Sequence, residues 1–249
     1  MNYDRIRDEA ERYIAAEHGK RSIDSGRMAG GRANVEASLV VRGVEEAGAE
    51  RRWMAKSAVQ AGLREWAEKT GRWFTPDRIE KNIISKAETM NAGSEATVYF
   101  IGDAAIKIYD TSNAASFLDD RISAYNALFP ETGYELIGLS ENTDGGLQFI
   151  VKQRRIKGLS LEELIKEAGK TLKGKELSDL IGNYKRAVSQ RLAEYGLKEV
   201  PYGYSNGVIN ITDAGFNNIM IEGEDISVRD NTQLYFVDVQ PAVINVEDR

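Results

Sequence analysis

The chain has 249 residues, of which 42% are hydrophobic and 29% charged, and these values are typical of one large globular domain or a domain with an appendage. Its 39 acidic and 33 basic residues give a net charge of -6, which argues against nucleic acid as a partner because bulk positive charge is missing. The chain has no cysteine and a single histidine, His18, which excludes disulfides, thiolate zinc sites, cysteine nucleophiles and two-histidine metal sites. Any chemistry must therefore use carboxylates, lysine, hydroxyls, amides or backbone groups.

No targeting or membrane signal is visible. The N-terminal sequence is charged and lacks the apolar core of a signal peptide. No stretch approaches the roughly 20 apolar residues that a membrane-spanning helix needs. We therefore expect a cytoplasmic protein without a membrane partner.

The first 85 residues differ in charge from the rest of the chain. They carry 16 basic and 14 acidic residues, whereas the remainder carries 17 and 25. Apolar spacing predicts helices near residues 6–14, 35–44 and 50–70, and Thr75-Pro76 fits the start of a further helix. The loop at residues 22–33 contains arginine and glycine that suit RNA or phosphate, but interleaved acidic residues favour a solvated loop.

After about residue 84 the pattern changes to short apolar runs alternating with helical segments. In chain order, we first predict strands at 98–101 and 104–109, joined by a tight turn at Gly102-Asp103, and then a helix over 114–128 ended by Pro130. A strand at 147–151 follows, then a helix opened by a Ser160/Glu163 capping box and a long amphipathic helix over 177–192. The last predicted strands are at 208–211, 218–221 and 233–237. This mixture predicts an α+β fold.

Two features near the first hairpin suit a phosphate ligand. Small residues at 93–97 (GSEAT) allow backbone amides to approach a phosphate closely, although a simple turn explains them equally well. Lys107 lies in the apolar run AAIKIY, where burial of its charge requires a partner such as a carboxylate or a phosphate. The alternative is a lysine on the exposed face of an edge strand, and this residue alone favours that alternative.

A second group of polar residues follows in the last third of the chain. Asp213 precedes Asn218 by five residues, and Asn218 leads into the apolar run IMI. Asp238 ends another apolar run, so Asn218 and Asp238 on adjacent strand ends offer the oxygen ligands that Mg²⁺ prefers. The alternative is that these are turn and capping residues, which Asp and Asn commonly are.

The order of these features resembles that of the protein-kinase-like fold, which has a glycine-rich loop, an Ala-x-Lys strand, an HRD-x4-N catalytic loop and a DFG aspartate. Residues 105–107 (AIK) resemble the lysine strand, residues 211–218 (ITDAGFNN) the catalytic loop, and residues 237–239 (VDV) the DFG segment. The segments GSEATVY, YNALFP, ITDAGFNNIMI and LYFVD are also similar to kinase domains within large polyvalent proteins of phages and mobile elements.

This resemblance implies a two-lobe architecture. A minimal kinase-like domain over residues 86–249 would have a small β-rich N-lobe over 86–151 and a reduced helical C-lobe over 152–249. An α-helical region over residues 1–85 would precede it. The implied ligands are ATP and Mg²⁺, and the implied reaction transfers the γ-phosphate to a hydroxyl of a protein or a small molecule.

The resemblance also implies roles for individual residues. Lys107 would bind the α- and β-phosphates, and Asp213 would orient or deprotonate the acceptor hydroxyl. Either Asp119 or Asp120 would hold the lysine, at a position where the family uses glutamate. The remaining implied contacts are Mg²⁺ binding by Asn218 and Asp238, phosphate covering by the backbone of Gly93, Ser94 and Ala96, adenine covering by Val98, and an adenine contact by Gln153 in the connector between lobes.

The sequence departs from the family pattern in several places. Asn91 and Ala96 replace the first and third loop glycines, Ile211 and Thr212 replace the HRD histidine and arginine, and DFG becomes Asp-Val-Gln. Eleven residues follow Asp238, so we expect a minimal kinase, a fragment of a larger protein, or a lobe that a partner protein completes. An active phosphotransferase, a pseudokinase or nucleotide-binding interaction module, and a phage or mobile-element binding protein that works through its N-terminal helices all remain open.

Overall fold

The structure is a computed structural model. It describes residues 33, 34, 36, 37, 39–41, 52–93, 95–111, 114, 117–201, 203–207, 209–211, 214–222 and 233–243, without the side chains of 52–57, 119, 120 and 243. The chain forms two compact units, Met1–Ser123 with Tyr134–Arg155, and Ala124–Gly133 with Ile156–Arg249. The predicted boundaries at residues 85/86 and 151/152 stay predictions.

Helices begin the described part of the first unit. Described residues between 33 and 41 are helical, and Ala33, Ala37 and Val40 are fully buried. Helix α1 spans Arg52–Lys69, which confirms the helix predicted over 50–70. The helix predicted near residues 6–14 and the loop at 22–33 lie outside the described residues, apart from Ala33.

The predicted helix start at Thr75-Pro76 is confirmed. Helix α2 spans Pro76–Asn82, and the Thr75 hydroxyl accepts a hydrogen bond from the Arg78 amide at 3.3 Å. This bond satisfies one of the amides that the first turn of a helix leaves without a partner. A 3-10 turn at Ile84–Lys86 follows and leads the chain into the sheet.

The sheet of the first unit has five strands in the order β1-β2-β3-β5-β4, and every pair is antiparallel. The strands are β1 Thr89–Ala92, β2 Ala96–Ile101, β3 Ala104–Asp110, β4 Glu135–Glu141 and β5 Leu147–Arg154. The predicted hairpin is confirmed, because Ile101 pairs with Ala104 across a turn in which Gly102 has a φ of 56°. Strands β1 and β4 were not predicted, and β3 lies in the interior of the sheet.

The two faces of this sheet carry different side chains because successive strand residues point to opposite sides. On one face Ile106, Ile108 and Ile150 pack with Phe74 and Ile83, from the segment that contains α2. The opposite face carries Tyr109, and the ring of Phe117 lies 5.1 Å from the Tyr109 ring and 4.6 Å from the Phe149 ring. Lys107 shares this second face with Tyr109.

The helix predicted over residues 114–128 forms with a different winding. Ala114 is α-helical, Phe117–Ala124 is a π-helix, and Tyr125–Leu128 (α3) is an α-helix. Pro130 starts a short 3-10 turn, Pro130–Thr132, as expected of a residue that cannot continue a helix.

The second unit contains two further helices, and both were predicted. Helix α4 spans Leu161–Ala168 and begins with the predicted capping box between Ser160 and Glu163. Helix α5 spans Lys175–Ala193 and buries Tyr184, Val188 and Leu192 along one face.

Two small antiparallel sheets complete the second unit. The first has the order β11-β10-β6 and the second the order β12-β9-β8-β7. Their strands are β6 Gly158–Ser160, β7 Lys198–Val200, β8 Gly203–Ser205, β9 Ile209–Ile211, β10 Ile219–Glu222, β11 Leu234–Phe236 and β12 Pro241–Val243. The strands predicted at 208–211, 218–221 and 233–237 therefore form, each within a residue or so of its predicted bounds.

Helices and antiparallel sheets together confirm the α+β class. Among the described helices, none has the combination of length and apolar content that crossing a bilayer requires.

Candidate functional site

Lys107 is a buried residue of an interior strand. Its relative exposure is 5%, and it pairs in register with Val98 on β2 and with Val151 on β5. The alternative of a lysine on the exposed face of an edge strand is therefore wrong, because β3 has a neighbour on both sides. A buried ammonium is stable only among polar or charged partners.

Tyr134 is one of those partners, and the sequence did not point to it. The Lys107 Nζ donates to the Tyr134 hydroxyl at 3.3 Å. The Tyr134 and Tyr109 hydroxyl oxygens lie 3.4 Å apart. Lysine and two phenols therefore form one polar cluster within the first unit.

Asn34 fixes the backbone on either side of Tyr134. Its Nδ2 donates to the Tyr134 carbonyl at 3.2 Å, and its Oδ1 accepts from the Leu136 amide at 3.0 Å. Because the Asn34 amide bonds a backbone carbonyl and a backbone N–H two residues apart, it restrains the position of the phenol beside Lys107. The signal in the sequence is weak, because Asn34 is 100 residues away from Tyr134.

The predicted lysine partners Asp119 and Asp120 lie in the π-helical segment Phe117–Ala124. Their side chains lie outside the described part of the chain, so their pairing with Lys107 stays a prediction. Among the side chains that the structure describes, Tyr134 is a partner of Lys107.

The predicted phosphate loop is the turn between β1 and β2. Ala92 pairs with Thr97, and the Gly93 amide donates to the Ala96 carbonyl at 2.9 Å, which closes a tight turn. A Cβ on Gly93 would lie 3.2 Å from that carbonyl oxygen, so the turn favours glycine there. Ser94 lies outside the described residues.

Val98 and Gln153 lie on strands that flank Lys107. Val98 is opposite Lys107 in register and lies on the same face of the sheet, as an adenine-covering residue requires. Gln153 was expected in a connector, but it is a residue of β5 that pairs with Ala105 and is 2% exposed. The connector location is therefore wrong, because β5 continues to Arg154, and an adenine contact by Gln153 stays a prediction.

In the second unit, Asn218 and Asp238 come from adjacent strand ends. Asn218 ends the 3-10 turn Phe216–Asn218 and precedes β10, and Asp238 follows β11 by two residues. The Val237 amide donates to the Asn218 carbonyl at 2.9 Å, and the Asn217 Nδ2 donates to the Asn218 Oδ1 at 2.9 Å. The Val237 bond thus holds the backbone next to Asp238 against Asn218.

These two side chains suit Mg²⁺ by their chemistry. An amide oxygen and a carboxylate are hard ligands, and Mg²⁺ is usually held by one or two carboxylates together with phosphate and water oxygens. No group of three or more His, Cys, Asp or Glu side chains that could hold a metal occurs among the residues described. The two side chains are thus donors of a kind that Mg²⁺ accepts, and metal binding by them stays a prediction.

Asp213 lies outside the described residues. Strand β9 ends at Ile211, and the structure describes the chain again from Ala214. Its role in orienting a hydroxyl stays a prediction from the resemblance.

A buried lysine on the third strand of an antiparallel sheet, with a tight glycine turn between the first two strands, is the arrangement of a protein-kinase nucleotide-binding lobe. Residues 56–169, a little under half of the chain, match the family model described as Serine/Threonine/Tyrosine Kinase found in polyvalent proteins. This confirms the resemblance to the kinase domains of polyvalent proteins for that segment. Comparison with curated proteins and with solved structures gave no match.

The matched segment contains β1 to β5, the π-helix and α4, and it includes Lys107 and Gln153. It ends before Asp213, Asn218 and Asp238. The strand arrangement around Lys107 and the family-model match thus both support a kinase-like segment. The assignment of the three later residues depends on the motifs alone.

Proposed function

We propose that the protein is a Mg²⁺-dependent phosphotransferase that moves the γ-phosphate of ATP to a hydroxyl of a protein or a small molecule. The observation that carries this proposal is the burial of Lys107 on β3, opposite Val98 and beside the β1–β2 turn. The family match over residues 56–169 supports a kinase-like activity in general.

Lys107 is suited to phosphate binding by its chemistry. The Lys107 ammonium can donate several hydrogen bonds, one of them to Tyr134, and phosphate oxygens are acceptors of the kind that an ammonium binds. Within a buried environment, charge-assisted hydrogen bonds of this kind are stronger than in water. Lys107 would hold the α- and β-phosphates while the backbone at residues 93–96 covers them and Val98 packs on the base.

The motifs at residues 211–218 and 237–239 imply the groups that would act on the transferred phosphate. Asn218 and Asp238 would hold Mg²⁺, which neutralises the charge that develops on the phosphate oxygens. Asp213 would accept a hydrogen bond from the acceptor hydroxyl and take its proton as the new O–P bond forms. Phosphoryl transfer needs mainly positioning and charge neutralisation, so it does not require histidine or cysteine.

A nucleotide-binding module without catalysis is the second candidate function. Glu95 lies in the β1–β2 turn, where its carboxylate repels phosphate, and the turn has only one glycine. The carboxylate forms an ion pair with Arg121, which reduces this repulsion. The two candidates share nucleotide binding and differ in turnover.

Thermal-shift titration with Mg·ATP, and with ATP in the presence of a chelator, tests the shared step. Mg·ATP is expected to raise the melting temperature, because a ligand that binds the native state stabilises it. Lys107→Met and Asp238→Ala should reduce the shift, and Asp238→Ala should also reduce its dependence on Mg²⁺. Lys152→Met is the matched control, since Lys152 lies on the neighbouring strand with a half-exposed side chain 3.6 Å from Glu135.

The absence of any stabilisation at millimolar nucleotide would contradict both candidates. Equal loss in Lys152→Met and Lys107→Met would show that the effect comes from general destabilisation of the sheet. Phosphate transfer from radiolabelled ATP to added hydroxyl compounds or proteins, measured on the stabilised protein, then separates the phosphotransferase from the module without catalysis.

A further inference from the structure

Arg121 is a largely buried cation on the π-helical segment of the first unit. Its side chain is 16% exposed, and its Nη2 forms an ion pair with the Glu95 carboxylate in the β1–β2 turn. The guanidinium carbon also lies 5.9 Å from the centre of the Tyr109 ring. No role was predicted for this residue from the sequence.

The second terminal nitrogen of Arg121 has a different environment. Nη1 is buried, and within the described residues it has no hydrogen-bond partner. A guanidinium stays protonated in proteins, and a buried N–H without an acceptor is destabilising. Native proteins rarely leave such a group unsatisfied, so an acceptor that binds there is expected.

The surroundings of Arg121 connect it to Lys107. Tyr109 pairs with Ala96 at the end of the turn, and Lys107 pairs with Val98 two residues further along β2. The Tyr109 hydroxyl lies 3.4 Å from the Tyr134 hydroxyl, which accepts the hydrogen bond from Lys107. Arg121 therefore lies near one of two neighbouring phenols and Lys107 bonds the other, on the face of the sheet that carries Tyr109.

We propose that Arg121 is a second phosphate-binding residue, whose Nη1 donates to a phosphate oxygen while Nη2 stays bound to Glu95. The identity of the ligand as a nucleoside triphosphate rests on the proposed function. The cation site itself rests on the burial of Nη1 and on the common face shared with Lys107. Two cations separated by phenols suit a chain of linked phosphates, since each can hold a different phosphate group.

The experiment compares ligands that carry different numbers of phosphates. Isothermal titration measures the binding of adenosine, Mg·ADP, Mg·ATP and inorganic tripolyphosphate to the full chain and its variants. Arg121→Gln should weaken Mg·ATP and tripolyphosphate by about tenfold or more and adenosine by less than about twofold, since a charged hydrogen bond is lost. Arg121→Lys, which keeps the charge without the planar fork, should give an intermediate loss.

Arg64→Gln is the matched control. Arg64 also pairs with carboxylates, at 3.1 Å to Glu68 and 2.6 Å to Glu141, and it lies over the Trp73 ring at 4.7 Å. Its substitution should leave all four affinities unchanged. Circular dichroism and the unfolding midpoint show which variants fold, and Arg121→Lys serves where Arg121→Gln does not fold.

The outcomes separate this proposal from the proposed function. If Arg121→Gln binds Mg·ATP as tightly as the parent, the phosphate role is overturned and the proposed function stands. An equal loss of affinity for adenosine and Mg·ATP has the same two consequences. Binding of tripolyphosphate that depends on Arg121, without binding of any adenosine compound, supports the cation site and overturns the proposed function. A chain that binds none of the four ligands overturns both.

Discussion

The two units hold their candidate residues in different ways. In the first unit, Lys107 belongs to a seven-residue strand that pairs with a neighbour on each side, and its partner Tyr134 is fixed by Asn34. In the second unit, Asn218 and Asp238 lie beside strands of four and three residues, and the amide of Val237, the neighbour of Asp238, donates to the Asn218 carbonyl. The difference predicts that the first unit would hold a ligand with a rigid framework, whereas a small local change in the second would displace the proposed metal ligands.

The largest expected effect concerns turnover. Asp213→Asn should leave Mg·ATP binding intact and lower phosphate transfer by at least about a hundredfold, because general-base groups contribute factors of roughly 10²–10⁴. Binding is measured by thermal shift and transfer by radiolabelled ATP. Asp179→Asn, a change on the exposed face of α5, is the control. Equal turnover in Asp213→Asn and the parent would remove Asp213 from the base role.

Gly158→Ala should disturb the second unit and leave the first intact. A Cβ on Gly158 would lie 1.8 Å from the Ile221 carbonyl oxygen, so β6 and β10 would have to separate, at a cost of about 3 kcal/mol in the free energy of unfolding. Because β10 begins next to Asn218, the Mg²⁺ dependence of nucleotide binding should fall as well.

The stability of Gly158→Ala is measured by urea unfolding and its local effect by amide hydrogen exchange. Protection from exchange is expected to fall in residues 156–222 and to persist in β3 and β5. Gly182→Ala on α5 is the control, since a Cβ there meets no atom within 4 Å. It should stabilise the protein by about 0.5–1 kcal/mol. A loss of protection in β3 equal to that in β10 would show that the two units do not respond separately.

Tyr134→Phe tests the rigid framework of the first unit. Loss of the hydroxyl removes an acceptor from Lys107 and is expected to lower the unfolding free energy by about 1 kcal/mol and the affinity for Mg·ATP severalfold. Tyr99→Phe is the control, because Tyr99 lies on the opposite face of the sheet. The calorimetric dissociation constant of Mg·ATP decides the outcome, and equal affinities in both variants would contradict a positioning role for Tyr134.

The smallest expected effect is a change with pH in the second unit. Burial raises the pKa of Tyr195 above its ordinary value of about 10, and the Glu131 carboxylate acts in the same direction. The folded state therefore holds the phenolic proton more tightly, so this stability is complete below pH 10 and is lost as pH rises through the raised pKa. The free energy of unfolding of Tyr195→Phe, measured with urea, should decline less steeply above pH 10 than that of the parent. An equally steep decline would contradict a raised pKa at Tyr195.

Local sequence signals predicted the elements that depend on local interactions. The turn at Gly102, the Ser160–Glu163 capping box and the amphipathic pattern of α5 each act within a few residues, so they were visible in the sequence. Burial of Lys107 could only be posed as an alternative, since it depends on β5 pairing beside β3 from more than 40 residues away.

The parts that could not be predicted depend on contacts between distant segments. Asn34 bonds the backbone around Tyr134, and Gly158 packs against Ile221, in both cases across more than 60 residues. The π-helical winding around Arg121 is similar, because helical periodicity in a sequence does not distinguish it from an α-helix. Residues that act through contacts between distant segments leave no local sequence motif by which they could be recognised.

The hydrogen bonds of Asn34 have a consequence for self-association. Strand β4 is the outermost strand of its sheet, and Asn34 occupies its open side near Tyr134. Further along this side, the Leu139 amide donates to the Arg72 carbonyl and the Leu139 carbonyl accepts from the Phe74 amide. Uncovered strand edges recruit other strands and cause aggregation. A chain that began at residue 56, where the kinase family match begins, would lack Asn34 and expose part of this edge. Asn34 thus covers part of the β4 edge, where another strand could otherwise pair.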